Sequence, residues 1–462
     1  MARVEPVTAG GVAVSAPAVA GRDVGRRTLA TACFLGGVLA PVVAVITSVH
    51  RHAVDVPYWD EWELVPLLEK VRAGTLEVSD LWSQHNEHRV LLPRVVLLAL
   101  ASLSRWNLRY ELYLNIAVAL VSLAGLLLLL TRSVDRRWVP WSGIAVSLMT
   151  FSMVQWESWT WGWQLSFFLN GLGVTMAAVA LAYWPEGRWA IVLASAGGLI
   201  AALSLASGIV LLWLVPVAFA LCADERRRTD VVVPSLMAAA ISAIYFWDYH
   251  RPGKHPALGY DHPRDFAQYL LVYLGAPFAT SGGRAAVFGA LGIVLVALSA
   301  RGVWRQGSLA RRSAAPWLFL ASYVLATGAL TDLGRVGFGT SQALASRYTT
   351  FSSLFWISTF VIGSVALEPA FRASARRSRK FATGATLAVL LFVIGRGYAD
   401  TYAAGHRLFR ERLAGLRRAR PCLMTYRTAP RSCFDVVYHH PDRLRERLEI
   451  LERLRLGPFR AP

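Results

Sequence analysis

Charged residues are scarce in this 462-residue sequence: Asp, Glu, Lys and Arg make up 17%, against 55% hydrophobic residues. A water-exposed globule of this length needs more charged surface, so the composition and a mean hydropathy of +0.43 exclude that class. Only four cysteines occur, which excludes a secreted scaffold held together by disulfides. The apolar runs exclude intrinsic disorder and collagen. The sequence therefore predicts an all-α, polytopic membrane protein.

Acidic residues are few as well: 29 Asp and Glu face 48 Lys and Arg, which gives a net charge of +19. Such an excess is typical of nucleic-acid binding. Here, however, the basic residues lie between apolar runs and at both ends. In those places they orient a membrane protein by the positive-inside rule and contact anionic lipid. We therefore expect membrane lipid as a partner and no nucleic acid.

Apolar runs long enough to cross a bilayer recur along the chain. A hydrocarbon core of about 30 Å requires about 20 helical residues. Residues 1–28 are predicted to form a disordered cytoplasmic leader, and no small-residue cleavage pattern follows the first span. We predict a transmembrane domain over 29–398 with eleven spans, at 29–50, 110–131, 139–155, 164–184, 188–206, 207–222, 230–248, 284–304, 314–332, 348–367 and 381–398.

Two further apolar stretches, 90–104 and 266–280, are shorter and are typical of interfacial or re-entrant segments. When both are left out, the basic clusters at 132–137 and 301–312 fall on the cytoplasmic side, in agreement with the positive-inside rule. This topology places the N-terminus on the cytoplasmic side of the plasma membrane. It also gathers the polar and aromatic segments on the outer face: 51–89 (within a first outer loop, 51–109), 156–163, 249–265 and 332–347.

The basic tail, 399–462, conflicts with this topology, because its arginines would be exported. Long tails do translocate despite their charge, so we keep the extracytoplasmic assignment. Cys422 and Cys433 in the tail fit either an extracytoplasmic disulfide or two free thiols. Cys33 and Cys222 lie in or beside spans and are expected to be packing residues.

The first outer loop contains two adjacent acids, Asp60 and Glu61, flanked by Tyr58, Trp59 and Trp62. An acid at a membrane surface can act as a general base with a raised pKa, or as a metal ligand. The alternative is a solvated acidic loop beside an interfacial belt of aromatic residues.

His85 and His88 lie three residues apart in the same loop, with Glu87 between them and Arg89 next to them. On a helix the two histidines would share one face. Histidines near an acid can hold a divalent metal, although this spacing is not a recognised zinc pattern. The alternative is a pair of interfacial histidines that cap the following helix.

A tryptophan-rich segment, 155–164, places Glu157 beside Trp156 and Trp159. Tryptophans at the end of a span are commonly interfacial anchors. The competing interpretation is a surface on which a sugar or an apolar lipid stacks, with Glu157 binding hydroxyl groups.

Arg335, Gln342, Arg347 and Tyr348 lie in a polar segment that runs into the tenth predicted span. Two arginines at the mouth of a span suit the phosphate of a lipid carrier. The alternative is snorkelling towards lipid headgroups. Because arginines on the outer side oppose the positive-inside trend, we favour phosphate binding. The predicted spans themselves have few ionisable residues, which counts against an ion-coupled transporter.

Taken together, these motifs resemble the GT-C superfamily of polyprenyl-phosphate-sugar-dependent glycosyltransferases, in particular the protein mannosyltransferases and the lipid A aminoarabinose transferases. Those enzymes begin with a basic leader, one span and an outer loop that opens on an acidic motif. A histidine-containing segment, an interfacial helix and the second span follow. Tyr58–Glu61, His85–Arg89, the stretch 90–104 and the span 110–131 match that order, and Arg347-Tyr348 matches a pair that often opens a late span.

The resemblance implies transfer of a sugar from a polyprenyl-phosphate donor to an extracytoplasmic acceptor: a cell-envelope glycan, a glycolipid or a protein. Asp60 is then the expected general base of an inverting transfer, Glu61 is the second expected catalytic residue, and Mg or Mn is a candidate cofactor. Phosphate binding falls to Arg347, Arg335 and Tyr348. The expected substrate-binding residues are Tyr58, Trp59, His85, Glu87, His88, Arg89, Trp156, Glu157, Trp159 and Gln342, and the candidate metal ligands are Asp60, Glu61, Glu87, His85 and His88.

Two other functions fit the same residues. A flippase or exporter of lipid-linked sugars would bind the donor without breaking a bond. A non-catalytic partner in glycan assembly would tolerate substitution of Asp60 and Arg347 while depending on its outer tail.

Overall fold

The protein is described here by a computed structural model that covers residues 18–184, 187–222, 228–253, 263–372 and 377–460. Helices dominate the described part of the chain. The first nine are α1 (Ala18–His52), α2 (Val65–Ala73), α3 (Val78–Trp82), α4 (Leu91–Ser104), α5 (Arg109–Ser133), α6 (Val139–Thr150), α7 (Trp156–Thr160), α8 (Leu165–Tyr183) and α9 (Arg188–Ala202). The remainder are α10 (Gly208–Cys222), α11 (Arg228–Phe246), α12 (Pro263–Gly275), α13 (Gly282–Gln306), α14 (Ser308–Arg335), α15 (Thr349–Arg372), α16 (Arg377–Met424) and α17 (Pro441–Leu454).

Eight of the described helices are long and apolar enough to cross a membrane, and each coincides with a predicted span. They are α1, α5, α8, α11, α13, α14, α15 and α16. Large apolar side chains such as Leu39, Val121 and Val287 are exposed on these helices. Exposed apolar faces of this kind belong in lipid, because water would penalise them. The prediction of an all-α membrane protein is therefore confirmed.

The other three predicted spans are short helices. Predicted span 139–155 is the 12-residue α6, while 188–206 and 207–222 contain α9 and α10, with 15 residues each. At about 1.5 Å per residue, α9 and α10 rise about 22 Å, less than a bilayer core of about 30 Å. Helix α6 ends early because the side-chain amide of Gln155 donates to the carbonyl of Thr150, and the chain then turns.

The interior of the bundle is built around α8, α14 and α15, the long helices with the largest buried share. Trp356 and Tyr323 are fully buried there. Gly173 of α8 faces Gly197 of α9 so closely that a Cβ on either residue would overlap the backbone of the other. Small residues at such crossings allow helices to pack through their backbones, as is common in membranes. The two short predicted stretches form α4 and α12, with 14 and 13 residues.

Two of the predicted domain boundaries, at residues 28 and 398, fall inside helices. Helix α1 begins at Ala18, so the last part of the predicted disordered leader is helical, and residues 1–17 lie outside the described residues. The 48-residue α16 runs from the last predicted span into the tail without a break at 398. Cys33, expected to be a packing residue, is exposed on α1, and the side chain of Cys222 lies outside the description.

Candidate functional site

One cavity of about 500 Å³ brings together residues from all four polar segments. Its walls also include the turn between α9 and α10 and apolar residues of α8, α10 and α15. The predicted site residues that line the cavity are Trp59, Asp60, His85, Glu87, His88, Arg335, Arg347 and Tyr348. The segments converge because the helices that carry them end at the same end of the bundle.

The two adjacent acids have different surroundings. Asp60 lines the cavity, and its side chain is 32% exposed. Glu61 is buried, and its two carboxylate oxygens accept hydrogen bonds of 2.7 Å from the backbone N–H groups of Tyr58 and Gly162. Burial raises the pKa of Glu61 to about 8, with backbone hydrogen bonds opposing the rise and the charge of Asp60 adding to it. Glu61 therefore fixes the turn that presents Asp60.

His85 and His88 lie in a tight turn, which corrects the prediction that they share one face of a helix. Their backbones exchange two hydrogen bonds, His85 N–H to His88 O at 2.7 Å and the reverse at 2.9 Å. Asn86 completes the turn with a φ of 49°, a region that asparagine tolerates better than most residues. The turn directs His85 towards Asp60, with Nε2 and Oδ2 3.5 Å apart, and against the ring of Trp163.

Glu87 connects the histidine turn to α14. Its Oε1 accepts from Nε of Arg335 at 2.9 Å and from Nη2 of the same guanidinium. His88 Nε2 lies 3.5 Å from that oxygen, while His88 Nδ1 accepts from Ala206 N–H at 3.2 Å. Burial alone would raise the pKa of Glu87, but the neighbouring His88 and Arg335, whose guanidinium also donates hydrogen bonds to Glu87, outweigh burial and hold the pKa at about 2. Glu87 is therefore an ionised partner of Arg335.

Glu157 lies behind the cavity between two arginines. Its Oε2 accepts from the backbone N–H of Arg347 at 3.1 Å and lies 3.5 Å from Nη1 of that residue. Its Oε1 accepts from Nη2 of Arg412 at 3.3 Å. The guanidinium of Arg412 lies 4.4 Å from the ring centroids of both Tyr58 and Trp156. Tyr58, Trp156 and Glu157 thus support the site from outside the cavity.

Three predicted site residues lie away from the cavity and act in packing. Arg89 donates to the carbonyls of Trp82, Tyr245 and Trp247, so it caps the end of α11. Trp159 is fully buried, stacks on Phe151 and Phe168, and donates from Nε1 to Ser152 O. Gln342 accepts a hydrogen bond from the Tyr269 hydroxyl at 3.0 Å.

The candidate metal ligands do not converge. Asp60 and His85 form one pair and Glu87 and His88 another, while both oxygens of Glu61 are occupied by backbone N–H groups. Among the residues that the structure describes, no group of three or more His, Cys, Asp or Glu is placed to hold a metal ion. Mg²⁺ and Mn²⁺ favour several oxygen ligands, so these side chains do not fit a resident divalent cation.

The tail packs on the first outer loop. Glu63 accepts from Arg447 at 2.7 Å and from the Tyr438 hydroxyl at 2.5 Å, and Trp59 N–H donates to Val437 O at 2.9 Å. His439 lies 4.0 Å from the Trp59 ring, measured between ring centroids. The first outer loop and the tail therefore lie at the same end of the bundle, and the tail packs against the residues next to Asp60.

The structure also resolves the two interpretations of the tail cysteines. Cys422 and Cys433 form a disulfide, with Cα atoms 6.1 Å apart, within the range that the bond requires. The bridge joins the end of α16 to the segment that leads towards the contacts with Trp59.

Sequence reasoning missed Arg412, Trp161 and Trp163. The two tryptophans line the cavity, and they lie in the segment that the sequence singled out for its tryptophans. The sequence contains one signal for Arg412: in the predicted topology, its arginine-rich tail runs against the positive-inside rule.

Comparison with models of known protein families, with characterised proteins and with solved structures gives no match to this chain.

Proposed function

We propose that this protein is an integral-membrane glycosyltransferase that moves a sugar from a polyprenyl-phosphate donor to an acceptor hydroxyl. The observation that carries the proposal is the composition of the cavity described above. A carboxylate, Asp60, and two arginines, Arg335 and Arg347, line the same space as an extended apolar wall. A general base, an anion site and a lipid surface are the three parts that such a transfer needs.

The arginines are suited to the phosphate. Arg335 and Arg347 come from opposite ends of the segment between α14 and α15, and both line the cavity beside Tyr348. As the bond between the sugar and its phosphate breaks, negative charge grows on the leaving oxygen. Guanidinium groups already held by Glu87 and Glu157 can stabilise that charge with little reorganisation.

Asp60 is suited to be the base. It takes the proton of the acceptor hydroxyl as that oxygen attacks the anomeric carbon, and the polyprenyl phosphate leaves from the opposite face. The new glycosidic bond forms with inverted configuration, and the proton ends on Asp60. His85, 3.5 Å away, can receive this proton and pass it towards solvent.

The apolar wall is suited to the carrier. Phe167, Ile209, Val210, Leu333 and Phe351 line the same cavity as the polar groups. A polyprenyl chain gains free energy on such a surface in proportion to the apolar area that it covers. A soluble sugar nucleotide has no lipid chain that could cover this apolar wall.

In the proposed topology the chain crosses the plasma membrane eleven times, through the eight long helices together with α6, α9 and α10. The N-terminus is cytoplasmic, and the cavity and the tail are extracytoplasmic. The contacts between loop and tail support this topology, because an odd number of crossings puts both on the side opposite the N-terminus.

The proposed step uses no metal, since the candidate ligands do not converge. Neutralisation of the phosphate rests on Arg335 and Arg347 instead. Transfer by the purified protein should therefore continue in the presence of EDTA.

The test is a transfer assay with purified protein in lipid nanodiscs, radiolabelled polyprenyl-phosphate sugars and a membrane extract as the source of acceptors. Wild type should transfer label. Asp60→Asn should lose at least about a hundredfold in rate, the scale of general-base catalysis, while still binding donor. Arg347→Ala should lose donor affinity. Tail variant Arg443→Ala, on the exposed face of α17, is the matched control.

Three results would contradict the proposal. Full transfer by Asp60→Asn at normal expression would show that Asp60 is not the general base. Movement of donor between leaflets without any glycosylated product would indicate a flippase. If the protein binds other glycan-assembly proteins but does not bind the donor, it is a non-catalytic assembly partner.

A further inference from the structure

Arg412 is held in an unusually constrained position for a residue of a basic tail. Its guanidinium lies between the rings of Tyr58 and Trp156, 4.4 Å from each centroid, and its side chain is only 15% exposed. A guanidinium between two aromatic rings is stabilised by both and loses little freedom when it forms hydrogen bonds. The sandwich therefore fixes where Arg412 can donate.

The constrained guanidinium donates to one oxygen of Glu157. Nη2 contacts Oε1 at 3.3 Å, and Nη1 is buried without a hydrogen-bond partner. The other oxygen, Oε2, takes the backbone N–H and the guanidinium of Arg347. One carboxylate thus connects an arginine of the tail to an arginine that lines the cavity.

Because Glu157 is shared between two arginines, it offsets only part of their charge. This sharing determines how many hydrogen-bond donors of Arg347 stay available. A carboxylate with a single arginine partner frequently binds it through two parallel hydrogen bonds, which offset the charge of the guanidinium. While Oε1 accepts from Arg412, Glu157 engages Arg347 through Oε2. The three side chains then carry one net positive charge, and Arg347 keeps donors for an anion.

We infer that Arg412 is a positioning residue that holds Glu157 so that Arg347 remains available to an anionic group in the cavity. The inference rests on the proposed function in taking that group to be the donor phosphate. It assigns the tail a role in the site itself.

The test compares five proteins in nanodiscs: wild type, Arg412→Ala, Glu157→Gln, the double variant, and Arg410→Ala as a control. Arg410 is exposed on the same helix two residues earlier. Two quantities are measured: affinity for a polyprenyl-phosphate sugar, and modification of Arg347 by phenylglyoxal, followed by mass spectrometry. The second readout needs no substrate.

Arg412→Ala should weaken donor binding at least about tenfold and slow modification of Arg347, because Glu157 then takes that guanidinium with both oxygens. The double variant should return both quantities to within about threefold of wild type, since the neutral amide introduced by Glu157→Gln no longer competes for Arg347. Arg410→Ala should match wild type. A purely structural role for Arg412 would not be rescued by a change at Glu157.

The outcomes separate the two proposals. If the double variant is as impaired as Arg412→Ala, or if Arg412→Ala matches wild type, the role of Arg412 is wrong, whatever the transfer assay shows. If wild type binds no polyprenyl-phosphate sugar but Arg347 modification follows the expected pattern, the positioning role stands and the proposed donor is wrong.

Discussion

Gly162 lies between two buried carboxyl groups, those of Glu61 and Glu111. A Cβ at this position would lie 2.9 Å from Oε1 of Glu61 and 2.7 Å from Cβ of Glu111, and it would overlap Oε2 of Glu111. The backbone N–H of the same residue is one of the two donors to Glu61. A glycine is therefore needed for steric reasons at the point that fixes the Asp60 turn.

Gly162→Ala should consequently lower the free energy of unfolding by about 1–3 kcal/mol, the usual cost of overpacking, and reduce transfer. Gly171→Ala is the control: its Cβ would meet no atom within 4 Å, and alanine in a helix is favoured over glycine by about 0.5–1 kcal/mol. Denaturation in mixed micelles measures both variants. Equal stability of Gly162→Ala and wild type would show that the two acids can move apart.

For single residues, the side-chain type could be read from the sequence, but whether that side chain lines the cavity or packs elsewhere could not. The sequence identified both Asp60 and Glu61, but only burial and backbone hydrogen bonds separate the cavity acid from the buried one. Arg89 has the same side chain as Arg347, yet it caps α11, because the carbonyls of Tyr245 and Trp247 come within its reach. Such partners are more than 150 residues away, and no local pattern indicates them.

The tail element depends on its disulfide. The bridge closes an 11-residue separation between Cys422 and Cys433, just before the segment that contacts Trp59. In the chain-entropy description, closing a loop of this size restricts the unfolded tail by about 3 kcal/mol.

Replacing both cysteines by serine should therefore loosen the segment 424–440 and, with it, the loop that it covers. Hydrogen–deuterium exchange should rise in the tail and at the Trp59 amide, whose N–H donates to Val437 O. Cys33→Ser, which removes an exposed free thiol on α1, should leave exchange unchanged. Unaltered protection of the Trp59 amide in the double serine variant would show that the disulfide does not stabilise the loop at the site.

The positions of the long helices were predicted well, whereas helix ends were predicted poorly where hydrogen bonds set them. The eight long helices follow from uninterrupted apolar runs. Helix α6, by contrast, ends where the amide of Gln155 binds the Thr150 carbonyl. The His85–His88 turn escaped prediction for a similar reason: two backbone hydrogen bonds and the φ of Asn86 favour it over a helix.

For the whole molecule, the contacts between loop and tail predict a specific sidedness. In a background with both Cys33 and Cys222 replaced by serine, a cysteine introduced at exposed Ser79 or at exposed Arg443 should react with a membrane-impermeant maleimide from the same side of intact cells. Cysteines at exposed Arg136 and Ser308, at the other end of the bundle, should react only after permeabilisation. Labelling of the Ser79 and Arg443 positions from opposite sides would contradict eleven crossings.

The gathering of polar segments at one end could be anticipated from charge and span counting, whereas the participation of the tail could not. Positive-inside reasoning treats every arginine as a topological signal. Arg412 and Arg447 instead bind Glu157 and Glu63, which lie 255 and 384 residues away. Only a folded bundle brings such residues together.

The pairing of Asp55 with Arg460 also sets a schedule for biosynthesis. The two residues are separated by 405 positions, and ribosomes add about 5–20 residues per second, so roughly 20–80 s pass between their syntheses. Throughout that interval Asp55 of the first loop has been synthesised without the arginine that pairs with it. A nascent chain that stalls within α16 before Arg412 already carries most of its membrane helices but lacks the tail arginines that pair with Glu157, Glu63 and Asp55.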